Sequence, residues 1–238
     1  MKRTQEKRYN MFELNLQYFG GRGSGSSLTL GSGQSINIKN ETDVWSYRHN
    51  PDNEPFVDMI NTSVARMQED FKDIMETVYH VNAAELGGAD RTQTLGFYSP
   101  DGGGVSLNQY YTNVAAMNAA YDEAVKAQYH PSRGNKSGVE AVAFHEMGHA
   151  LTDHLGAKMG VKDLDHAAKS IVNAAYKAMG HKGDATKGWA GKISGYAKEN
   201  YAECVAEAVA DHYCNGSKAA AESKAIMKEL RRIQRTKK

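Results

Sequence analysis

The segment between Ser137 and Gly156 contains the pattern H-E-x-x-H at residues 145–149. Ser137 and Glu140 match a capping box, which predicts that a helix begins there. Gly156 predicts its end, because glycine readily adopts the left-handed conformation that follows many helices. Two histidines four residues apart lie on one face of a helix, so both could bind the same metal ion. The pattern also arises by chance, and its context decides between the two interpretations.

The glutamate within the pattern indicates what such a site could do. Glu146 directly follows His145, so it would lie beside the face that carries His145 and His149. From there it can take a proton from a water molecule bound to the metal, as in zinc hydrolases. The apolar residues on one side of this predicted helix predict that the helix is half buried. Gly148 is about 1 kcal/mol less favourable than alanine inside a helix, and close packing of another backbone there would explain it.

A catalytic zinc site needs a third protein ligand, with water in the fourth position. One known extension of the motif has a glycine and a histidine where this chain has Thr152 and Leu155. His154 would point elsewhere on the helix, and we interpret it as a surface histidine near the helix end. The third ligand must therefore come from another part of the chain.

A second predicted helix, with Asn200 as its N-cap and Asn215-Gly216 as its stop, offers two carboxylates. Glu203 and Glu207 lie four residues apart and would repel each other by roughly a few tenths of a kcal/mol. A metal ion would remove this penalty if one carboxylate bound it and the other accepted a hydrogen bond from a ligand histidine. Glu203 could equally be a capping-box glutamate, because it stands three residues after Asn200.

Together the two segments resemble the catalytic domain of anthrax lethal factor and its relatives. The resemblance rests on H-E-M-G-H-A-L-T-D-H-L-G at residues 145–156 and G-Y-A-K-E-N-Y-A-E-C-V-A-E-A-V-A at residues 195–210. It covers residues 94–213, with a longer insertion between the motifs than is usual in those proteins. It implies a zincin fold and a zinc-dependent endopeptidase that acts on a protein or peptide substrate.

The resemblance also implies a role for each matching residue. It implies one zinc ion bound by three ligands, which are His145, His149 and Glu203. Glu146 would be the general base that takes the proton of the attacking water and passes it to the leaving amine. Tyr196 would donate a hydrogen bond to the oxyanion, and Glu207 would support a ligand histidine from behind. We interpret Tyr201, which lies on the ligand helix, as a packing residue.

The predicted fold class is α+β, as a mostly helical zincin-like domain with a small antiparallel sheet or hairpin beside the active-site helix. Residues 94–98 and 104–107 predict two short strands joined by a turn. Such a hairpin could pair with an extended substrate, or it could be a plain surface hairpin. Residues 56–78 have apolar side chains at spacings of three and four, which predicts an amphipathic packing helix. Specificity residues are expected in unmatched loops, including residues 157–193.

The chain divides into three predicted parts. Residues 1–50 are a flexible leader and a Gly/Ser linker, residues 51–216 the metallopeptidase domain, and residues 217–238 a basic C-terminal helix. Residues 11–23 resemble the short leader of many tailed-phage head and morphogenesis proteins of Gram-positive hosts. This implies a prophage gene product that begins at Met11, with phage structural proteins as partners. The alternative is a disordered tail without function.

The composition limits which partners and which cellular location we expect for this protein. The formal net charge is +1, 40% of residues are hydrophobic, and no apolar run suggests a membrane helix or a secretory signal. The basic C-terminal helix could contact nucleic acid, although a solvated helix docked by one apolar stripe is the favoured interpretation. Cys204 and Cys214 would lie about 15 Å apart on one helix, too far for a disulfide. We therefore expect an intracellular protein, in the host cytoplasm during phage assembly or associated with the virion.

Three functional classes stay open at this stage. The first is an active zinc endopeptidase. The second is a structural or morphogenesis component of a phage head, whose zincin-like domain has secondary or no protease activity. The third is a toxin-like effector. An intact set of ligands with an intact general base favours the first.

Overall fold

The computed structural model describes residues 17–18, 27–29, 35–38, 54–71, 81–85, 94–99, 104–108, 111 and 113–236. The α-helices within these residues are α1 (Glu54–Asp70), α2 (Val114–Lys126), α3 (Gly138–Lys158), α4 (Leu164–Ala178), α5 (Lys187–Ala190), α6 (Tyr201–Asn215) and α7 (Ala221–Arg235). The strands are β1 (Gln17–Tyr18), β2 (Ser27–Thr29), β3 (Ser35–Ile38), β4 (Val81–Glu85), β5 (Gly96–Ser99) and β6 (Gly104–Asn108). Two short 3-10 turns, Tyr196–Lys198 and Gly216–Lys218, flank α6.

Helix α3 lies at the centre of the helical part and packs against α1, α2, α4 and α6. Among residues 138–152, Glu140 alone is not buried. The prediction of a half-buried helix is therefore wrong for most of its length. The reason is that Gly138, Gly148 and Gly156 leave room for α2, α6 and α4 to pack closely against α3.

The start of α3 matches the prediction, but its end does not. Ser137 accepts a hydrogen bond from the Glu140 backbone, and the Glu140 side chain accepts one from the Ser137 backbone, so the capping box is confirmed. The prediction that Gly156 ends the helix is wrong, because α3 continues to Lys158. A Cβ on Gly156 would lie 2.8 Å from the Cβ of Ala167, so this glycine makes room for α4. Gly160, with φ +77, takes the left-handed conformation instead.

The region between the two motifs contains α4 and α5 joined by turns, whereas residues 157–193 were predicted to be loops. Asp163 caps α4 by accepting a hydrogen bond from the backbone of His166. The helix buries one apolar side against α6 and α7, and that side consists of Leu164, Ala167, Ala168, Ile171, Val172 and Ala175. The insertion therefore extends the helical core around α6.

The predicted hairpin is present, and the α+β class is confirmed. Strands β5 and β6 pair antiparallel, with Gly96 opposite Leu107 and Ser99 opposite Gly104, and both pack against α3. The sheet is larger than predicted, because β4 joins β6 and β1 joins β5 in parallel, giving the order β1-β5-β6-β4-β3-β2. The additional strands are two to five residues long. Pieces this short show too few alternating residues to be recognised from sequence.

Strands β1, β2 and β3 lie within residues 1–50, which were predicted to be leader and linker. The remaining positions of that segment lie outside the described residues, as do positions 74, 75 and 78 of the predicted packing helix, whose described part is α1. The three-part division of the chain therefore stays a prediction.

The C-terminal helix is docked by one apolar stripe, as the favoured interpretation expected. Helix α7 packs against α4 and α6, and its buried apolar residues are Ile226, Met227, Leu230 and Ile233. Lys224, Lys228 and Arg235 are exposed. Cys204 and Cys214 are both free and buried on α6. Among the helices of the described part of the chain, none is long and apolar enough to cross a membrane.

Candidate metal centre

Helices α3 and α6 approach each other closely at the site. A Cβ on Gly148 would lie 2.8 Å from the Cα of Ala206, which confirms that another backbone packs against this glycine. Asn200 caps α6 through a 2.8 Å hydrogen bond from the Glu203 backbone, and Gly216 follows its last turn with φ +55. Both predicted ends of α6 are therefore present, and the two helices place their polar residues face to face.

His145, His149 and Glu203 form a buried group that could hold a metal ion. The two Nε2 atoms lie 3.2 Å apart, and Glu203 Oε2 lies 3.1 Å from His145 Nε2 and 3.4 Å from His149 Nε2. Three ligands at the corners of a tetrahedron with bonds of about 2.0–2.1 Å are about 3.3–3.4 Å apart. The triangle of donor atoms therefore has the size that a tetrahedral metal site requires.

From its position in the sequence, Glu203 could be either a metal ligand or a capping-box residue. In the structure, its carboxylate is directed at the two histidines of α3, and its side chain is 3% exposed. The N-cap function at this helix start belongs to the Asn200 side chain. The position of its oxygen thus favours the ligand role over the cap.

Glu207 lies on the far side of His145 from this triangle. Its Oε1 atom is 2.8 Å from His145 Nδ1, and both side chains are fully buried. A carboxylate that accepts a hydrogen bond from Nδ1–H leaves the Nε2 lone pair directed at the donor triangle. Glu207 therefore lies where its carboxylate can orient the His145 ring.

The buried charges depend strongly on one another. Burial lowers the pKa of His145, but hydrogen bonds to Glu203 and Glu207 outweigh it and raise the pKa to about 10. Burial raises the pKa of Glu203, but the charge on His149 and hydrogen bonds to both histidines lower it to about 2. Burial lowers the pKa of His149. Glu203 and Glu207 both have lowered pKa values, which favours their ionised forms. Two ionised carboxylates in a dry site require a nearby positive charge, which protonated His145 or a metal cation can provide.

Glu146 lies in the same enclosed space. Its side chain is buried, and neither of its oxygens has a hydrogen-bond partner among the residues that the structure describes. Burial, together with the charges of Glu203 and Glu207, raises its pKa well above the ordinary value. A buried carboxyl group without partners is costly, and such groups are concentrated at functional sites.

Tyr196 belongs to this site, whereas Tyr201 does not contribute to it. Tyr196 lies on the 3-10 turn before α6, is buried, and stacks its ring on His145 with centroids 6.0 Å apart. The Tyr201 ring is half-buried and lies beneath the Lys169 ammonium at 5.9 Å. His154 is half-buried on a later turn of α3. The structure thus places Tyr196 against His145 and leaves Tyr201 and His154 away from the donor triangle.

Sequence reasoning missed His130. Its Nδ1 atom lies 2.9 Å from the same Glu207 oxygen that contacts His145, and its side chain is fully buried. It stands 77 positions before Glu207, in a segment without a recognised motif. A lone histidine followed by a proline gives no local signal of this contact.

No protein-family model matches the chain, and no curated protein or solved structure matches it either. Its function must therefore be inferred from the residues that surround His145, His149 and Glu203.

Proposed function

We propose that this protein is a zinc-dependent endopeptidase. The observation that carries the proposal is the triangle of His145 Nε2, His149 Nε2 and Glu203 Oε2, with sides of 3.1–3.4 Å. When bound, zinc acts as a Lewis acid that polarises a carbonyl group and makes water a nucleophile at neutral pH.

The set of donor atoms favours zinc in a catalytic site. Two imidazoles and one carboxylate form the ligand set of many zinc peptidases. A structural zinc site has four protein ligands, whereas the group found among the described residues offers three. The fourth position then remains for water or substrate.

Each remaining residue has a task in peptide hydrolysis. Glu146, adjacent in sequence to His145, accepts a proton from the attacking water and gives it to the leaving amine. Neither of its buried oxygens has a hydrogen-bond partner among the described residues, so both are available to hold that proton between the two steps. Glu207 keeps the Nε2 atom of His145 directed at the donor triangle. Tyr196 donates a hydrogen bond to the carbonyl oxygen as negative charge develops on it.

We propose a peptide as the substrate because a β-hairpin lies beside the helix that carries His145 and His149. The β5–β6 hairpin packs against α3, and Tyr98 Oη donates a 3.0 Å hydrogen bond to Asp153 Oδ2. An extended chain can be held beside such a hairpin by backbone hydrogen bonds. Strand β1 already pairs with β5 at Phe97 and Tyr98. Strand β4 pairs with β6 on the other side, so a substrate strand would have to replace β1 or β4.

The enclosure of the site supports a second candidate function. The side chains of His145 and His149 are fully buried and that of Glu203 is 3% exposed, so none of the three candidate ligands faces solvent. A morphogenesis component of a phage head with secondary or no protease activity needs no access for a substrate. The leader resemblance supports phage structural proteins as partners in both cases, in the host cytoplasm during assembly or in the virion.

The experiment compares purified wild type with Glu146→Gln and with Glu199→Gln, a control at an exposed position just before α6. Zinc content is measured first, and cleavage of an unfolded protein and of phage structural proteins second. The proposal expects one zinc per chain in all three proteins and cleavage by wild type and the control alone. Zinc without cleavage by wild type favours the second candidate. Wild type that binds no zinc overturns the proposed function.

A further inference from the structure

We propose that His130 is a positioning residue, which holds the Glu207 carboxylate in the orientation that directs His145 at the metal. This inference rests on the proposed zinc site. It adds a member outside the two motifs, because His130 precedes the first motif by 15 positions.

The central observation is one oxygen atom shared by two imidazoles. Glu207 Oε1 lies 2.8 Å from His145 Nδ1 and 2.9 Å from His130 Nδ1. The side chains of all three residues are fully buried. A carboxylate oxygen has two lone pairs, so Oε1 can accept a hydrogen bond from each ring at once.

The second donor has a physical consequence for the first. With His145 as its one partner, Glu207 could rotate about its side-chain bonds and still keep that hydrogen bond. With His130 on the other side, the oxygen is fixed between two donors that belong to different segments. The fixed Glu207 oxygen therefore keeps the His145 proton on Nδ1. It also fixes the direction in which the His145 Nε2 lone pair points.

His130 is itself held firmly by aromatic rings. It stacks on Tyr121, with centroids 5.3 Å apart and planes at 13°, and the Tyr121 hydroxyl donates to the backbone oxygen of Pro131. The rings of Tyr129 and Tyr196 meet its edge or face at centroid distances of 5.1 and 5.5 Å. A histidine packed in this way has little freedom to turn away from Glu207.

The segment that carries His130 is also tied to the segment that carries Tyr196. The Gly195 backbone donates to Gln128 at 2.8 Å, and the Tyr196 backbone donates to Tyr129 at 2.9 Å. A Cβ on Gly195 would lie 2.8 Å from the Gln128 oxygen, so these two backbones are in close contact. His130 thus enters the site on a segment whose place is fixed by the Tyr196 turn.

The test measures the affinity of the zinc-free full chain for zinc ion, by competition with a chelating dye. Three variants are compared: His130→Asn, His130→Gln and His130→Leu. Asparagine carries its amide nitrogen on Cγ, as histidine carries Nδ1, so it can still donate to Glu207. Glutamine places the nitrogen one bond further out, and leucine has no donor.

We expect His130→Asn to bind zinc within about threefold of wild type, and the other two variants to bind it about 10- to 100-fold more weakly. His181→Asn, at an exposed position, should bind as wild type does. Helical circular dichroism and the melting of the zinc-free proteins establish folding. If the leucine variant does not fold, the asparagine–glutamine comparison decides.

Two results would overturn the role of His130. One is unchanged zinc affinity in the folded glutamine or leucine variant. The other is an asparagine variant as weak as the glutamine variant, which would reduce His130 to a packing residue. Both differ from failure of the proposed function, in which wild type itself binds no zinc.

Discussion

The backbones of Gly148 and Ala206 meet so closely that a Cβ on residue 148 would lie 2.8 Å from the Ala206 Cα. His149 follows Gly148, and Glu207 follows Ala206. The contact therefore sets the separation of α3 and α6 at the level of the polar cluster. Since the three candidate ligands come from both helices, any change in this separation alters the donor triangle.

Replacement of Gly148 by alanine should destabilise the protein despite a more favourable helix residue. Alanine contributes about 1 kcal/mol through helix propensity. Forced overlap in a packed core typically costs about 1–3 kcal/mol and shifts the backbone. We expect a net loss of about 1 kcal/mol in the free energy of unfolding, measured with urea, together with weaker zinc binding.

The matched control for this substitution is Gly188→Ala, because the nearest atom to a Cβ there is Thr186 Oγ1 at 3.8 Å. That variant should be as stable as wild type or more so. A Gly148→Ala protein with unchanged stability and unchanged zinc affinity would show that the contact does not control the helix separation.

The features of this site that could be predicted from the sequence are those that depend on local sequence patterns. The capping box of Ser137 and Glu140 and the N-cap Asn200 fix where α3 and α6 begin. Spacings of four residues then decide which side chains share a helix face. Given two such helices, the pairing of their polar faces follows from the resemblance, and the structure brings these faces together.

The features that sequence missed depend on contacts between distant segments. Glycine is typical of a helix end, but Gly156 instead makes room for Ala167 of the neighbouring helix. His130 is a single residue whose partner lies 77 positions away. Neither contact leaves a periodic signal, because each involves one residue on each side.

Glu203→Gln should abolish tight zinc binding while leaving the fold intact. Glutamine has nearly the same shape, but it lacks the charge that balances the cation in a buried site. We expect zinc affinity to fall at least about 100-fold, more than for a residue that acts through a ligand. Calorimetric titration with zinc tests this, and Glu199→Gln provides an exposed control close in sequence.

A Glu203→Gln variant that binds zinc as tightly as wild type would remove this residue from the ligand set. The proposed site would then lack its third protein ligand.

Tyr196→Phe should separate catalysis from metal binding. The ring would still stack on His145, so zinc affinity should stay within about twofold of wild type. Loss of the hydroxyl should lower kcat about 100- to 1,000-fold, as for other donors to a developing oxyanion. Tyr201→Phe is the control and should cleave at the wild-type rate, because Tyr201 lies outside the cluster. An unchanged kcat in Tyr196→Phe would mean that groups other than the Tyr196 hydroxyl stabilise the developing oxyanion.

Asp70 should make stability depend on pH in a predictable direction. Its Oδ2 atom accepts hydrogen bonds of 2.9 Å from Tyr213 and from Arg231, joining α1, α6 and α7. Burial raises its pKa, but the hydrogen bonds from Arg231 and Tyr213 outweigh it and hold the pKa below the ordinary value of 3.8. A carboxylate whose pKa is lowered by folding stabilises the protein above its unfolded pKa and loses this effect as pH falls through its folded pKa.

Asp70→Asn should therefore be less stable than wild type by about 1 kcal/mol at pH 7, since these side chains are partly exposed. The difference should remain full down to about pH 4 and shrink at lower pH, where wild-type Asp70 takes up its proton. Urea unfolding at pH 7, 5 and 3 measures it. Glu69→Gln removes an exposed pair with Arg66 and should show little difference at any of these values. A difference that grows as pH falls would mean that Arg231 and Tyr213 do not stabilise the ionised form of Asp70.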